Sequence, residues 1–138
     1  MGDAVPLASI EDIAESIEIL RRSQPRSIVA ISGYGGAGKS TLAKALASST
    51  GSTRLRGDDF LDPYRSHHRS TDWVDVDLTT AGERGRERDR TNGHDHDQLW
   101  TDVWLPNDRD FAARFDPRGR ADVLYVPADV APQGMPDA

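Results

Sequence analysis

Eight consecutive residues, Gly33-Tyr34-Gly35-Gly36-Ala37-Gly38-Lys39-Ser40, carry the spacing G-x-x-x-x-G-K-S, and that spacing suits one chemistry. Glycines let the backbone curl until successive N–H groups point into a single concavity that binds anions. A helix launched from the end of such a loop adds its positive dipole end. A lysine in the seventh place brings a mobile charge to the β- and γ-phosphates of a nucleotide, and a hydroxyl in the eighth stands where Mg²⁺ is ligated. Gly33, Tyr34, Gly35, Gly36, Ala37, Gly38, Lys39, Ser40 and Thr41 are therefore the candidate nucleotide-binding residues, with Lys39 also catalytic and Ser40 a magnesium ligand. The chain has 15 Arg and only 2 Lys, so a lysine at the position that demands one is hard to read as background. A chance glycine turn is the plainer alternative, and it leaves the full spacing unexplained.

Three further clusters could do chemistry. Asp58-Asp59 follows the loop, and at the C-terminal end of a parallel strand a carboxylate would face the ligand crevice. There it could orient an acceptor hydroxyl and take its proton, or hold Mg²⁺ through water. It could equally be polar punctuation at a strand end. Arg84, Arg86, Arg88 and Arg90 form two i,i+4 pairs. They could clamp a transferring phosphoryl group, or simply pair with Glu83, Glu87 and Asp89 on a solvated helix. His94-Asp95-His96-Asp97 invites a zinc reading, but structural zinc sites draw ligands from separated elements. Solvated histidines with Asp97 as a helix N-cap fit better. Trp100, Trp104, Phe111 and Phe115 are expected in the core, with base stacking as the lesser reading.

The elements that must position these residues can be read from periodicity. Ile10, Ile13, Ile17 and Leu20 recur at helical spacing over 9–22, with Ser9 as N-cap. The run 27–32 has the continuous apolar pattern of a strand buried on both faces. A helix is expected over 39–49, ended by Gly51. Residues 53–57 form a weak strand candidate leading into Asp58-Asp59-Phe60, and 61–71 reads as loop. Val74, Val76 and Leu78 alternate, which predicts a strand over 73–78. Thr80-Ala81-Gly82-Glu83 reads as a capping box opening an Arg-rich helix to about Arg90. A helix near 97–104 stacks Trp100 over Trp104, a short one starts at Pro106 and Asn107, and 121–126 is a last strand.

Composition sets the limits. Leu, Ile, Val and Phe supply 27 of 138 residues, close to the ~20% below which disorder competes with folding, so the core must be thin. One shortened domain over 1–127 is expected, with a disordered tail over 128–138. The net charge of −6 disfavours general nucleic-acid binding, which wants a basic face. The chain has no cysteine, which removes disulfides, thiolate catalysis and Cys-based zinc sites. It shows no apolar run long enough to span a membrane and no signal-peptide pattern at its start. A soluble cytoplasmic protein is the expectation.

From Gly33–Ser40 through Asp58-Asp59-Phe60, the sequence resembles the uridine kinase family of P-loop kinases. The resemblance continues at Arg84-Gly-Arg-Glu-Arg88-Asp89, which looks like an arginine-rich lid. It runs on through His96-Asp97-Gln-Leu-Trp100, Trp104-Leu-Pro-Asn and Ala121-Asp122-Val-Leu-Tyr125. It implies an ATP- and Mg²⁺-dependent phosphotransferase that moves the γ-phosphoryl group to the hydroxyl of a nucleoside or similar small molecule. By the same resemblance Asp58 takes the place of the catalytic aspartate and a water-mediated magnesium ligand, with Phe60 near the acceptor. Arg84 and Arg88 match lid arginines that approach the phosphates.

The resemblance also implies a fold: α/β, a P-loop NTPase-type parallel sheet flanked by helices, here lacking one central strand. In the family's order 2-3-1-4-5, a strand ending in a Glu-Gly-type motif lies beside the P-loop strand. Only about a dozen residues bridge that gap in this chain, and Asp75 and Asp77 are poor substitutes for the glutamate. Losing that strand leaves two edges bare, so the sheet must close up or pair with a second copy of the chain. Nucleotide binding should then survive better than turnover, which makes a non-catalytic ATP-binding remnant the rival reading. An ATPase or GTPase switch is less well served, because no strand ends in a well-placed Mg²⁺ aspartate with a water-positioning residue nearby.

Overall fold

The computed structural model describes residues 4–56 and 70–130. Ser9 opens α1 (Ile10–Ser23) with a closed capping box: Asp12 N–H donates to Ser9 Oγ at 3.1 Å and Ser9 N–H to Asp12 Oδ2 at 3.0 Å. After β1 (Val29–Ser32) and the glycine loop comes α2 (Lys39–Thr50), which stops at Gly51 in the left-handed region with φ 67°. β2 (Ser70–Val74) leads into α3 (Leu78–Thr91). A second helical stretch runs through α4 (Asp97–Leu99), a π turn (Trp100–Trp104) and α5 (Leu105–Phe115), and the chain reaches β3 (Val123–Tyr125).

The three strands form one parallel sheet in the order β1-β2-β3, so the protein is mixed α/β with a parallel sheet flanked by helices. β2 lies directly against β1, pairing Ile31 with Asp72 and Ser32 with Trp73. Residues 6–8 run along the outer side of β3, where Ala8 N–H donates to Leu124 O and Leu124 N–H to Pro6 O, both at 2.8 Å. The other edge of β1 has no strand partner among the described residues.

Successive strand residues face opposite ways, and the core divides accordingly. Val74 joins Ile13, Leu42, Leu46, Val76 and Ala81 in the main cluster with α1 and α2. Trp73 joins Ala121 and Leu124 in a smaller one, with Tyr34 edge-on to its ring at 5.2 Å.

Several expected boundaries shift. β1 is only half-buried instead of enclosed on both faces. Residues 53–56 form no strand. The strand expected over 73–78 is Ser70–Val74, because Asp77 begins α3: its carboxylate accepts Thr80 N–H at 2.9 Å and Thr80 Oγ1–H at 2.6 Å. The cap is thus Asp77, three residues before the expected Thr80. His96, with Asp97 already helical, stands where Asp97 was expected to cap. The two helices expected around Pro106 are continuous, since Leu105 N–H donates to Trp100 O, five residues back. That wider turn carries the helix past a residue with no N–H to give. Trp100 is core, whereas Trp104, Phe111 and Phe115 stay exposed. Pro127 is buried and, within the expected tail, Val130 packs on the main cluster, while 131–138 lie outside the described residues.

β2 also buries two acids. Asp75, just beyond its end, is held by Arg118, whose Nε and Nη2 donate to Oδ1 and Oδ2 at 2.7 and 2.9 Å. Asp72 has no such partner: its Oδ2 is buried without a hydrogen bond, beside a cavity of about 30 Å³ lined by Ile13, Ser16, Ile17, Leu20 and Val29. Burial, and secondarily the Asp122 charge, pushes its pKa from 3.8 up to about 6. The folded state therefore binds this proton more tightly than the unfolded one, and the cost grows as pH rises through that window. Asp77 and Asp89 lie below the ordinary value, held there by hydrogen bonds from Thr80 and Trp100 respectively, and stay charged while Asp72 titrates. Replacing Asp72 by Val should stabilise the fold at pH 7 by ~1–3 kcal/mol. The gain should shrink at pH 5, and thermal melts of both proteins at the two pH values measure it.

Candidate phosphate-binding site

The loop between β1 and α2 has the local geometry that its glycines permit. Gly36 and Gly38 take φ 82° and 108°, values that L side chains rarely adopt. Ala37 N–H closes a turn on Tyr34 O at 3.0 Å. Gly38 caps α2 without a side-chain hydrogen bond, and the first turn of that helix holds no acidic residue. Neither the cap residue nor the first turn thus offers a carboxylate to the N-terminal amides of α2. Lys39 Nζ folds back and donates to Gly33 O and Tyr34 O at 2.8 Å each. Ser40 and Thr41 are exposed on the first turn.

The loop rests on α3. A β-carbon at Gly36 would overlap Ala81 O, and Gly85 N lies 2.9 Å from the same point. Ala81, Gly82 and Gly85 form the buried stripe of an otherwise Arg-rich helix. Trp100 fills the space beside them: its ring lies against Gly35, and a β-carbon at Gly85 would collide with it. Trp100 Nε1 donates to Asp89 Oδ2 at 2.8 Å, which fixes the ring.

The four arginines of α3 are sorted by this packing. Arg84, next to Gly85, reaches the loop: its Nη2 lies 3.8 Å from where a β-carbon on Gly38 would stand. Its Nη1 is buried without a hydrogen-bond partner. Arg88 is 59% exposed and sits 3.4 Å from Asp89. Arg86 donates to Thr101 Oγ1, and Arg90 pairs with Asp97. So the structure brings Arg84 to the glycine loop and gives Arg88 a place with Asp89. Asp58, Asp59 and Phe60 lie outside the described residues. The His94 and His96 rings stack at 5.3 Å, and His96 Nδ1 lies 3.3 Å from Asp89 Oδ2. Among the described residues no three His, Asp or Glu side chains gather as metal ligands.

Two residues of the site escape motif reading. Asp108 Oδ2 accepts Gly35 N–H at 3.0 Å across 73 positions of sequence, and no local pattern marks it. Trp100 was expected in the core, with base stacking as the lesser reading, and not against the glycine loop. The small stripe Ala81-Gly82-Gly85 was a usable signal, since glycines in a helix interior are costly unless something packs closely on them.

No family model, curated protein or solved structure matches this chain. No described helix is long and apolar enough to cross a membrane.

Gly85→Ala tests the packing by sign. Helix propensity alone favours alanine by up to ~1 kcal/mol, whereas forcing a methyl into the Trp100 ring costs ~1–3 kcal/mol. Thermal unfolding should show net destabilisation. A stabilised variant would show that α3 and Trp100 are not in contact.

Proposed function

We propose that the protein is a P-loop phosphotransferase resembling uridine kinase, which binds ATP at Gly33–Thr41 and transfers its γ-phosphoryl group to the hydroxyl of a nucleoside or similar small molecule. One observation carries the reading. A glycine loop bent by Gly36 and Gly38 joins a parallel strand to a helix that opens on a glycine with no acidic residue in its first turn, and an arginine with a buried Nη1 that makes no hydrogen bond stands over it. The resident groups suit an anion of several charges: Lys39, the α2 N-terminus and Arg84 are all positive, and they converge on one loop. An ATP triphosphate would be held by the loop amides and Lys39, with its Mg²⁺ at the Ser40 hydroxyl. The metal would supply neutralisation of phosphate charge. Arg84 would add a cation beside Gly38, and Trp100 would keep water from the loop's outer face. Asp58 is the proposed base on the strength of the sequence resemblance, and Arg88 the more distant lid arginine.

A second reading is a non-catalytic nucleotide-binding remnant. The direct pairing of β2 with β1 favours it, because no strand stands between them to bear acceptor-binding groups. Loss of acceptor positioning would cost the largest catalytic contribution open to such an enzyme.

The readings separate in one assay. Purified protein is incubated with [γ-³²P]ATP, Mg²⁺ and a nucleoside panel, beside an ATP titration by calorimetry. Labelled nucleoside monophosphate is the kinase outcome, and binding without product the remnant outcome. Lys39→Ala should weaken ATP by ~10-fold or more, as loss of a charge-assisted contact does. Asp58→Asn should slow any transfer by ~10²–10⁴, and undiminished transfer would remove Asp58 as the base.

A further inference from the structure

The loop already holds an anion from its own chain. Asp108 Oδ2 accepts Gly35 N–H at 3.0 Å, so a carboxylate occupies an amide of the loop read above as a phosphate site. A second carboxylate, Asp129 Oδ2, lies 3.5 Å from Nη2 of Arg84, the arginine over Gly38. Two groups that would meet phosphate thus meet acids of the protein itself.

The placement of Asp108 depends on the π turn. In an uninterrupted α-helix, residues eight apart lie ~80° apart around the axis, whereas one inserted residue brings them to within ~20°. Trp100 opens the π turn and Asp108 follows it on α5, and both reach Gly35. Wide turns of this kind are frequent at functional sites.

We propose that Asp108 is an internal competitor for the phosphate loop. Its carboxylate occupies Gly35 N–H and opposes incoming phosphate charge, so that phosphate binds as Asp108 leaves. The contact sets the loop's affinity and keeps it ordered when empty. This inference rests on the phosphate-binding reading of the loop.

The test uses the full chain and calorimetric titration with inorganic tripolyphosphate and, separately, magnesium-complexed ATP. Asp108→Asn should bind both ~10-fold or more tightly than wild type, as when a like charge leaves a partly buried anion site. Asp108→Ala should bind at least as tightly as Asn, and Asp108→Glu, which keeps the charge, should stay weak. Adding Lys39→Ala to Asp108→Asn should abolish the gain. Circular dichroism and melting temperature establish that each variant is folded. Wild-type binding that Asn and Ala leave equal or weaken would overturn the competitor and spare the phosphate site. No uptake of either probe by wild type or any variant would overturn both.

Discussion

At Gly36 the glycine loop and α3 meet backbone to backbone, with no room for a β-carbon between them. That contact orders much of what surrounds it. It goes with small residues on one face of α3, where Ala81 and Gly85 lie against Gly36 and Leu105 packs on Gly82, which leaves the arginines to the other faces. It places Arg84, the neighbour of Gly85, over Gly38, and turns Arg88 toward Asp89. The Trp100 ring seals the junction and is itself tied to α3 through Asp89. The phosphate binding proposed for the loop would draw on two sources: a backbone bent by its glycines, and a guanidinium delivered by a packing contact.

The sheet that carries the loop is small, and its central strand carries much of the cost. β2 pairs on both sides and contributes both Trp73 and Val74 to the two halves of the core. It also bears Asp72, with Asp75 just beyond its end, and the two acids are treated differently. Asp75 is bonded through both carboxylate oxygens to Arg118, which ties the end of β2 to the segment before β3. Asp72 faces apolar side chains of α1 and holds its proton to about pH 6.

Legibility followed the range of the interactions. The Ser9 cap, the span of α2 and its Gly51 stop are local, set by side chains within a turn of the residues they govern. The beginning of α3 was misplaced because two capping patterns compete there, and Asp77 binds Thr80 N–H more directly than Thr80 could serve the next turn. The continuous helix through Pro106 was hidden because proline ordinarily marks a break, and only a wide turn lets the helix proceed.

The spacing of glycines, lysine and serine determined the loop on its own, since backbone freedom, charge and hydroxyl there are properties of residue type. Which arginine reaches that loop, which strand lies beside β1, and the arrival of Asp108 at Gly35 were decided by tertiary structure alone. Those depend on register and helix rotation, where one residue more or less moves a side chain to another face, and no pattern of neighbouring residues encodes a contact made across 73 positions.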